Sequence, residues 1–95
     1  MNKEELIAQI SERSGVTRRI ANVVLTQFFA IITDALRDDL RVAISGFGTF
    51  EVKVRRERMG RNPRTGEPIA IAARHVPGFI ASKSLRTKIA EKSTR

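Results

Sequence analysis

The feature that most constrains this chain is the segment at positions 60–67, which reads GRNPRTGE. Two glycines bracket a proline, three of its eight side chains are charged, and none is large and apolar. Such a segment cannot be buried, because nothing in it offsets the desolvation of its charges. Asn-Pro and Thr-Gly are turn dipeptides, and Gly66 can adopt positive φ. The segment therefore predicts the exposed tip of a β-hairpin.

The flanks of this tip are cationic. Between positions 55 and 74 there are six arginines, two glutamates and no aromatic residue. Four of the arginines recur every third residue, and guanidinium groups suit phosphates and narrow minor grooves. We expect Glu57 and Glu67 to partner arginines within this segment rather than to act as a general acid and base. The pattern predicts a cationic β-ribbon that leaves the body of the protein and grips a polyanion.

Composition agrees with this prediction. A chain of 95 residues with 18 Lys+Arg and 10 Asp+Glu has a net charge of +8 and a pI near 11.3, which favours nucleic acid or another anionic surface. The absence of cysteine excludes disulfides, Cys-ligated zinc and thiol catalysis. No secretory signal and no apolar stretch of about 18 residues is expected. We therefore predict a single domain in the cytoplasm, with no membrane partner.

Residues suited to catalysis are scarce. His75 is the only histidine, and we interpret it as a solvated or packing residue. The Gly46-Phe47-Gly48 sequence lacks the further glycine of a nucleotide-binding loop. Tight packing at a strand turn explains it better, with a backbone phosphate contact as an addition. The sequence thus predicts a protein that is not an enzyme and needs no metal or cofactor.

The N-terminal part predicts two helices. Asn2 can cap the first, which should end at Gly15, and Thr17 can cap a second that runs to about position 38. At about 100° per residue, the apolar side chains of the second helix fill an arc of about 180°, whereas a surface helix needs only about 100°. The arc comprises Ile20, Ala21, Val24, Leu25, Phe28, Phe29, Ile31, Ile32, Ala35 and Leu36. A second copy of the chain is the simplest cover for this arc, and a well-packed monomer is the alternative.

The remaining sequence predicts strands and a last helix. Positions 42–44 and 50–54 alternate as half-buried strands do, a return strand leads from Ile69 to Phe79, and Ser82 caps a helix. The fold class is α+β, with a helical dimerisation part at 1–40, a sheet part at 41–80, and a C-terminal helix and tail at 81–95. Within the sheet part we define the arm as residues 53–76. A lone two-stranded ribbon is marginal in water, so we expect the arm to become ordered on binding.

Four segments together resemble the bacterial histone-like HU and integration host factor family, HU more closely. They read GFGTF at 46–50, GRNPRTGE at 60–67, VPGF at 76–79 and KSLR at 83–86. The resemblance spans nearly the whole chain. It implies an intertwined dimer with two helices per chain, a small sheet and two arms that embrace DNA, as in other minor-groove architectural proteins. It also implies a non-enzymatic protein that bends DNA with low sequence specificity, prefers distorted DNA and organises the nucleoid.

The resemblance also implies site residues. Pro63 is the expected wedge between base pairs, although spacing alone favours a turn-maker equally. The expected DNA-binding residues, some added by charge and position, are Lys3, Gly46, Lys53, Arg55, Arg56, Arg58, Arg61, Asn62, Pro63, Arg64, Arg74, Lys83 and Arg86. The expected dimer core comprises Val24, Phe28, Phe29, Ile32, Leu36, Phe47, Phe50 and Phe79.

Some features depart from the family or leave alternatives open. Pro68 stands where many relatives have a residue with an N–H, so we expect it at a position that needs no hydrogen bond. Ser45-Gly46 resembles the integration host factor branch, whereas Thr49 and the N-terminus resemble HU. The alternatives are a site-specific subunit that pairs with a paralogue, or a protein that binds another anionic surface. RNA is a further candidate ligand.

Overall fold

The computed structural model describes residues 1–91. The chain divides into two compact units, Met1–Ala35 and Leu36–Arg95, and each is described by itself. In chain order the elements are α1 (Lys3–Ser14), α2 (Arg18–Arg37), β1 (Val42–Ile44), β2 (Gly48–Arg55), β3 (Arg58–Arg61), β4 (Pro68–Ile71), β5 (Arg74–Ala81) and α3 (Lys83–Ala90). This is the predicted α+β class, with the helices and strands in the predicted order.

Both ends of α1 are determined by local hydrogen bonds. The Asn2 side chain accepts from the Glu5 backbone N–H at 2.9 Å, which satisfies a donor that the first turn leaves free. At the other end Gly15 adopts φ 81° and its N–H donates to the Ser11 carbonyl. Glycine takes this left-handed conformation without the strain that a β-carbon adds. The predicted cap and stop are both confirmed.

The second helix, α2, begins where Thr17 accepts from the Ile20 N–H at 3.2 Å and ends one residue before the predicted position 38. Among the large apolar residues of its arc, only Ile32 is buried in the single chain. Phe28 is 42% exposed, Phe29 43% and Val24 62%. In a single chain, most of the large apolar side chains of the predicted arc are therefore exposed to solvent.

The expectation that no segment is apolar enough to cross a membrane was wrong by length and composition. Arg18–Arg37, with 20 residues, is long enough and apolar enough by those two measures alone. A core helix passes the same test, and the polar residues of α2 decide between the two. Asn22, Thr26, Gln27, Thr33 and Asp34 lie on the side opposite the apolar arc, with Val23 and Ala30 among them. A helix with this many polar side chains on one side suits a protein–water boundary better than lipid on all sides.

The second unit contains a three-stranded antiparallel sheet in the order β1-β2-β5. The turn between β1 and β2 is closed by the Phe47 N–H, which donates to the Ile44 carbonyl at 3.0 Å. Phe79 on β5 lies opposite Phe50 on β2, with ring centroids 4.9 Å apart, and 5.4 Å from the Phe47 ring. Phe47 and Phe79 are still 45% and 42% exposed, so this aromatic cluster is also incompletely covered.

Beyond the sheet, β3 and β4 form a two-stranded ribbon that continues β2 and β5. Pairing stops after Arg55 and Arg74 and resumes at Arg58 and Ile71. Two residues are skipped in each strand, at 56–57 and 72–73, so the register is unchanged across the interruption. The predicted arm is therefore present, with an interruption near its base.

Pro68 lies where the sequence predicted. It is paired with Arg61 at the end of the ribbon, next to the Asn62–Glu67 pair, in which the Asn62 N–H donates to the Glu67 carbonyl at 2.8 Å. Hydrogen-bonded and non-bonded pairs alternate in an antiparallel ladder. The Arg61–Pro68 pair is therefore a non-bonded one, where the missing N–H has no consequence.

The last helix, α3, begins as predicted. Ser82 accepts from the Leu85 N–H at 3.1 Å, and the helix runs to Ala90. The tail at positions 92–95 lies outside the described residues.

Candidate nucleic-acid interface

The arginines of the arm lie on both faces of the ribbon. Side chains of directly paired residues share a face, and successive residues alternate between faces. Arg55 therefore shares a face with Arg74 in the first paired segment. Within β3, Arg58 lies on one face with Ile71, and Arg61 lies on the other face with Pro68. A spacing of three residues cannot give a single line of charge on a strand. It gives a ribbon that can contact phosphates on either side.

The tip is organised by its own hydrogen bonds. Gly66, at φ 73°, donates its N–H to the Asn62 carbonyl at 2.7 Å. The Asn62 side-chain oxygen accepts from the Arg64 N–H at 2.8 Å, and the Arg61 guanidinium donates to the Gly66 carbonyl at 3.1 Å. Asn62 and Arg61, both predicted DNA contacts, thus also hold the turn. Pro63 lies between them and Gly66, exposed and without an N–H to satisfy.

Exposed apolar side chains, which were not predicted as site residues, accompany the arginines. Met59 is 67% exposed, Val54 62% and Ile69 43%. Met59 shares a face with Arg61 and lies opposite Ala70. The signal was available in the sequence: apolar residues in a strand that has no core to cover are candidates for contact with a partner.

The expected ion pairs within the arm are absent. Among residues 1–91, neither Glu57 nor Glu67 forms an ion pair with an arginine, so that expectation was wrong. The backbone N–H of Glu67 donates to the Thr65 hydroxyl at 3.2 Å, which makes Glu67 part of the turn. Exposed pairs of this kind contribute little in water. The arm therefore presents its positive charge without internal neutralisation.

A second group of predicted residues comes together where the β1–β2 turn meets α3. The Ser82 N–H donates to the Phe47 carbonyl at 2.9 Å, which fixes the start of α3 beside this turn. Gly46 there has φ 78° and open space where a β-carbon would lie. Lys83 and Arg86 are exposed in the first turns of α3. Their cations and the exposed backbone of the turn form a surface that an anion can approach.

Two predicted lysines have contacts of their own. The ammonium group of Lys3, in the first unit, donates to the Thr26 hydroxyl at 3.1 Å. The stem of Lys53 lies over Gly78, since a β-carbon built there would be 3.0 Å from its Cε. Lys53 shares a face with Arg55, two residues further along β2. Residues 1–91 contain no group of three or more acidic, histidine or cysteine side chains placed to hold a metal ion.

Comparison of the sequence with models of protein families identifies the proteins to which this chain is similar. The model of the family described as "Bacterial DNA-binding protein" matches residues 1–90. The chain belongs to this family. As a bacterial DNA-binding protein of 95 residues, it shares 44% identity over 92 residues with the SPbeta prophage-derived DNA-binding protein HU 2 of Bacillus subtilis, covering 97% of this chain and 100% of that protein. It is 43% identical over 89 residues to DNA-binding protein HU-alpha of Escherichia coli, covering 94% of this chain and 99% of the relative.

Solved structures agree with this family membership. An Anabaena HU–DNA cocrystal structure matches with a TM-score of 0.91 and 42% identity, covering 95% of this bacterial DNA-binding protein and 98% of that chain. HU from Thermotoga maritima matches with a TM-score of 0.69 and 29% identity, covering 94% and 98% of the two chains. The resemblance to HU that the sequence motifs indicated is confirmed, and these relatives favour HU over integration host factor. The assignment of single residues to DNA contacts stays a prediction.

Proposed function

We propose that this protein is a non-enzymatic architectural protein that binds double-stranded DNA through the minor groove and bends it with low sequence specificity. The observation that carries the proposal is the arm, an exposed cationic ribbon with Pro63 at its tip. The structure crystallised with DNA in Anabaena HU is similar over nearly the whole chain.

The charged residues and the apolar residues of the arm have different roles in DNA binding. Arginines on both faces of the ribbon supply an attraction to phosphates that does not depend on sequence. Met59 and Ile69 supply apolar surface beside them, and the minor groove offers sugars to such side chains. Pro63 can enter between base pairs, because it is rigid, apolar and lacks an N–H. The hydrogen bonds around Asn62 and Gly66 hold this wedge in one conformation before DNA is met.

The unit that binds DNA is proposed to be a homodimer. The apolar arc of α2 and the aromatic cluster of the sheet each remain exposed in one chain, and exposed apolar surfaces of this extent call for a partner. The predicted dimer-core residues Phe28, Phe29 and Val24 lie in the exposed part. A second copy would cover them and bring a second arm to the same duplex.

Low specificity is favoured over site-specific binding. The minor groove distinguishes mainly A·T from G·C pairs, so an arm built of arginine and proline reads little sequence. The relatives described above bear HU names. A nucleoid location in the bacterial cytoplasm follows from this function, and a heterodimer with a paralogue is the form that the alternative would take.

Gel-shift titration combined with circularisation of short duplexes tests the proposal, because the two measurements report affinity and bending together. We expect faster circularisation of short fragments, and tighter binding to nicked or gapped duplexes than to intact ones. Binding without any effect on circularisation would remove the bending function. A preference above about 10³ for one duplex sequence would favour the site-specific alternative.

Binding to another anionic surface is the second candidate, and it needs only the net charge of +8. It gives Pro63 no role. Comparison of binding to duplex DNA, RNA and anionic phospholipid vesicles at one salt concentration separates the candidates. Equal affinity for vesicles and DNA would favour a general anionic target, and equal affinity for RNA and duplex DNA would remove the preference for duplex DNA.

A further inference from the structure

Met59 presents an exposed thioether on the arm. It is 67% exposed and is paired directly with Ala70, whose side chain is too short to cover it. Apolar packing within the ribbon is found on the other face, where the Ile71 side chain lies over Gly60. A β-carbon built on Gly60 would be 2.7 Å from Cδ1 of Ile71, and neighbouring residues of a strand point to opposite faces. The sulfur of Met59 is therefore open to small solutes.

This exposure separates the chemistry of Met59 from the stability of the fold. Oxidation of a methionine in a core turns an apolar side chain into a polar one and disrupts packing. Met59 is too exposed to belong to a core, and the backbone ladder between β3 and β4 fixes its place in the arm. Its sulfoxide therefore leaves the fold intact, and the effect of oxidation falls on the ligand that the arm binds.

The sequence leaves the arm with one group of this kind. The chain has no cysteine and two methionines, Met1 and Met59. Only the sulfur of Met59 lies within a helix or strand of the described residues 1–91. Met59 also shares a face with Arg61, which donates to the Gly66 carbonyl at the tip. A mild oxidant that attacks sulfur thus acts on the arm at one position, beside a predicted DNA contact.

We propose that Met59 is an oxidation site, and that its conversion to the sulfoxide by a peroxide weakens the binding of the arm to its ligand. A lone pair of the thioether sulfur attacks one peroxide oxygen and the O–O bond breaks. The departing hydroxide takes the proton of the transferred oxygen and leaves as water, so that sulfur is oxidised and peroxide is reduced. That the ligand is duplex DNA rests on the function proposed above.

The loss of binding follows from the hydrogen-bonding properties of the two forms. A thioether is a weak acceptor, whereas the sulfoxide is polar and chiral. The A·T pairs of the minor groove present only acceptors. A sulfoxide oxygen that meets them loses its water without gaining a hydrogen bond, which costs free energy. Methionine sulfoxide reductases, one for each epimer, restore the thioether, so the modification is reversible.

Treatment of the full-length protein with hydrogen peroxide tests the site. Cleavage after Glu57 separates Met59 from Met1, so mass spectrometry reports the oxidation of each. In the free protein we expect Met59 to be oxidised about as fast as a methionine tripeptide added to the same sample. A saturating nicked duplex should slow Met59 severalfold and leave the tripeptide unchanged. Oxidation far slower than that of the tripeptide in the free protein, or no protection by the duplex, would overturn the proposal.

Affinity for duplex DNA before and after peroxide treatment tests the consequence, with each protein compared with its own untreated form. We expect severalfold weaker binding by the oxidised wild type, recovery after both reductases, and no response in Met59→Leu. This variant is the matched control, because it keeps an apolar side chain of similar size and retains Met1. Unchanged affinity of the oxidised wild type, or an equal loss in Met59→Leu, would contradict the proposal. So would a loss that circular dichroism traces to unfolding.

The untreated and treated proteins separate this inference from the proposed function. DNA binding and bending that survive complete oxidation of Met59 refute the inference and leave the proposed function intact. Failure of the untreated protein to bind any duplex refutes the proposed function. The rate of Met59 oxidation without DNA then still decides whether the residue is an oxidation site.

Discussion

The ring of Phe79 occupies the place where a side chain at Gly48 would begin. A β-carbon built on Gly48 would lie 2.5 Å from Cζ of Phe79 and 2.6 Å from the Ile80 carbonyl oxygen. Gly48 is also buried, as the first residue of β2. Packing thus requires the second glycine of the Gly46-Phe47-Gly48 sequence, which is the interpretation that the sequence favoured over a nucleotide-binding loop.

Gly48→Ala should destabilise the protein, because the ring and the backbone of β5 must both shift to admit a methyl group. We expect a loss of about 2–4 kcal/mol, in the range of overpacked cores and strained backbone. Gly46→Ala is the matched control, with open space at its β-carbon but φ 78°, and should lose only about 1 kcal/mol. Urea unfolding of both variants measures the difference. Equal losses would show that the backbone conformation, not the Phe79 ring, makes glycine necessary.

Phe28→Asp should abolish the folded dimer. Phe28 is 42% exposed in the single chain and lies within the apolar arc of α2, so a partner that covers it would bury an unpaired charge. Gln27→Asp introduces the same charge on the polar side of α2 and should remain dimeric. Analytical ultracentrifugation and circular dichroism at micromolar concentration report assembly and folding. A fully folded monomer of Phe28→Asp would show that the chain does not need a partner to cover α2, and would contradict the proposed dimer.

The affinity for duplex DNA should depend strongly on salt. If about six to ten phosphates are neutralised, a plot of log K against log salt should have a slope of roughly −5 to −9. Arg58→Ala should weaken binding to all duplexes and reduce the slope by about one unit. Fluorescence anisotropy across a salt series measures both values. A slope near zero would mean that the arginines are not the binding surface.

Pro63→Ala should separate bending from affinity. No charge is lost, so weak binding to linear duplex should remain nearly unchanged, whereas the bend and the preference for nicked DNA should fall because the wedge is gone. Arg61→Ala should instead weaken binding and loosen the tip, since Arg61 donates to the Gly66 carbonyl. Energy transfer across an end-labelled duplex reports the bend. Wild-type bending by Pro63→Ala would leave Pro63 as a turn-maker only.

Asp39 offers a test of local backbone energetics. It has φ 58°, follows the C-terminus of α2, and donates its N–H to the Leu36 carbonyl at 3.0 Å. A negative charge there opposes the helix dipole. Asp39→Asn removes this charge and keeps a residue that tolerates positive φ, so it should stabilise the protein by about 0.3–1 kcal/mol. Asp39→Ala removes the same charge but should be about 1 kcal/mol less stable than Asp39→Asn. Equal thermal stability of the two variants would show that the positive φ at position 39 does not favour asparagine over alanine.

The parts that the sequence predicted correctly depend on short-range interactions. The caps at Asn2, Thr17 and Ser82 and the stop at Gly15 each involve residues within four positions of one another. The turn at the arm tip likewise closes within six residues. Residue type and spacing suffice for such features, because the partners are adjacent in the chain whatever the rest of the protein does.

Other features depended on which residues meet across the sheet. The two faces of the arm, the opposition of Arg55 and Arg74 and the contact of Phe79 with Gly48 all follow from the register of β2 and β5. The ion pairs expected of Glu57 and Glu67 failed for a related reason, since proximity in sequence does not aim two solvated side chains at each other. By itself the sequence determined the helices, the hairpin, the cationic arm and the need to cover α2. Only the tertiary structure decided which charges face one another. Strand register pairs residues that are far apart in the chain, and no periodic pattern in the sequence predicts which residues will be paired.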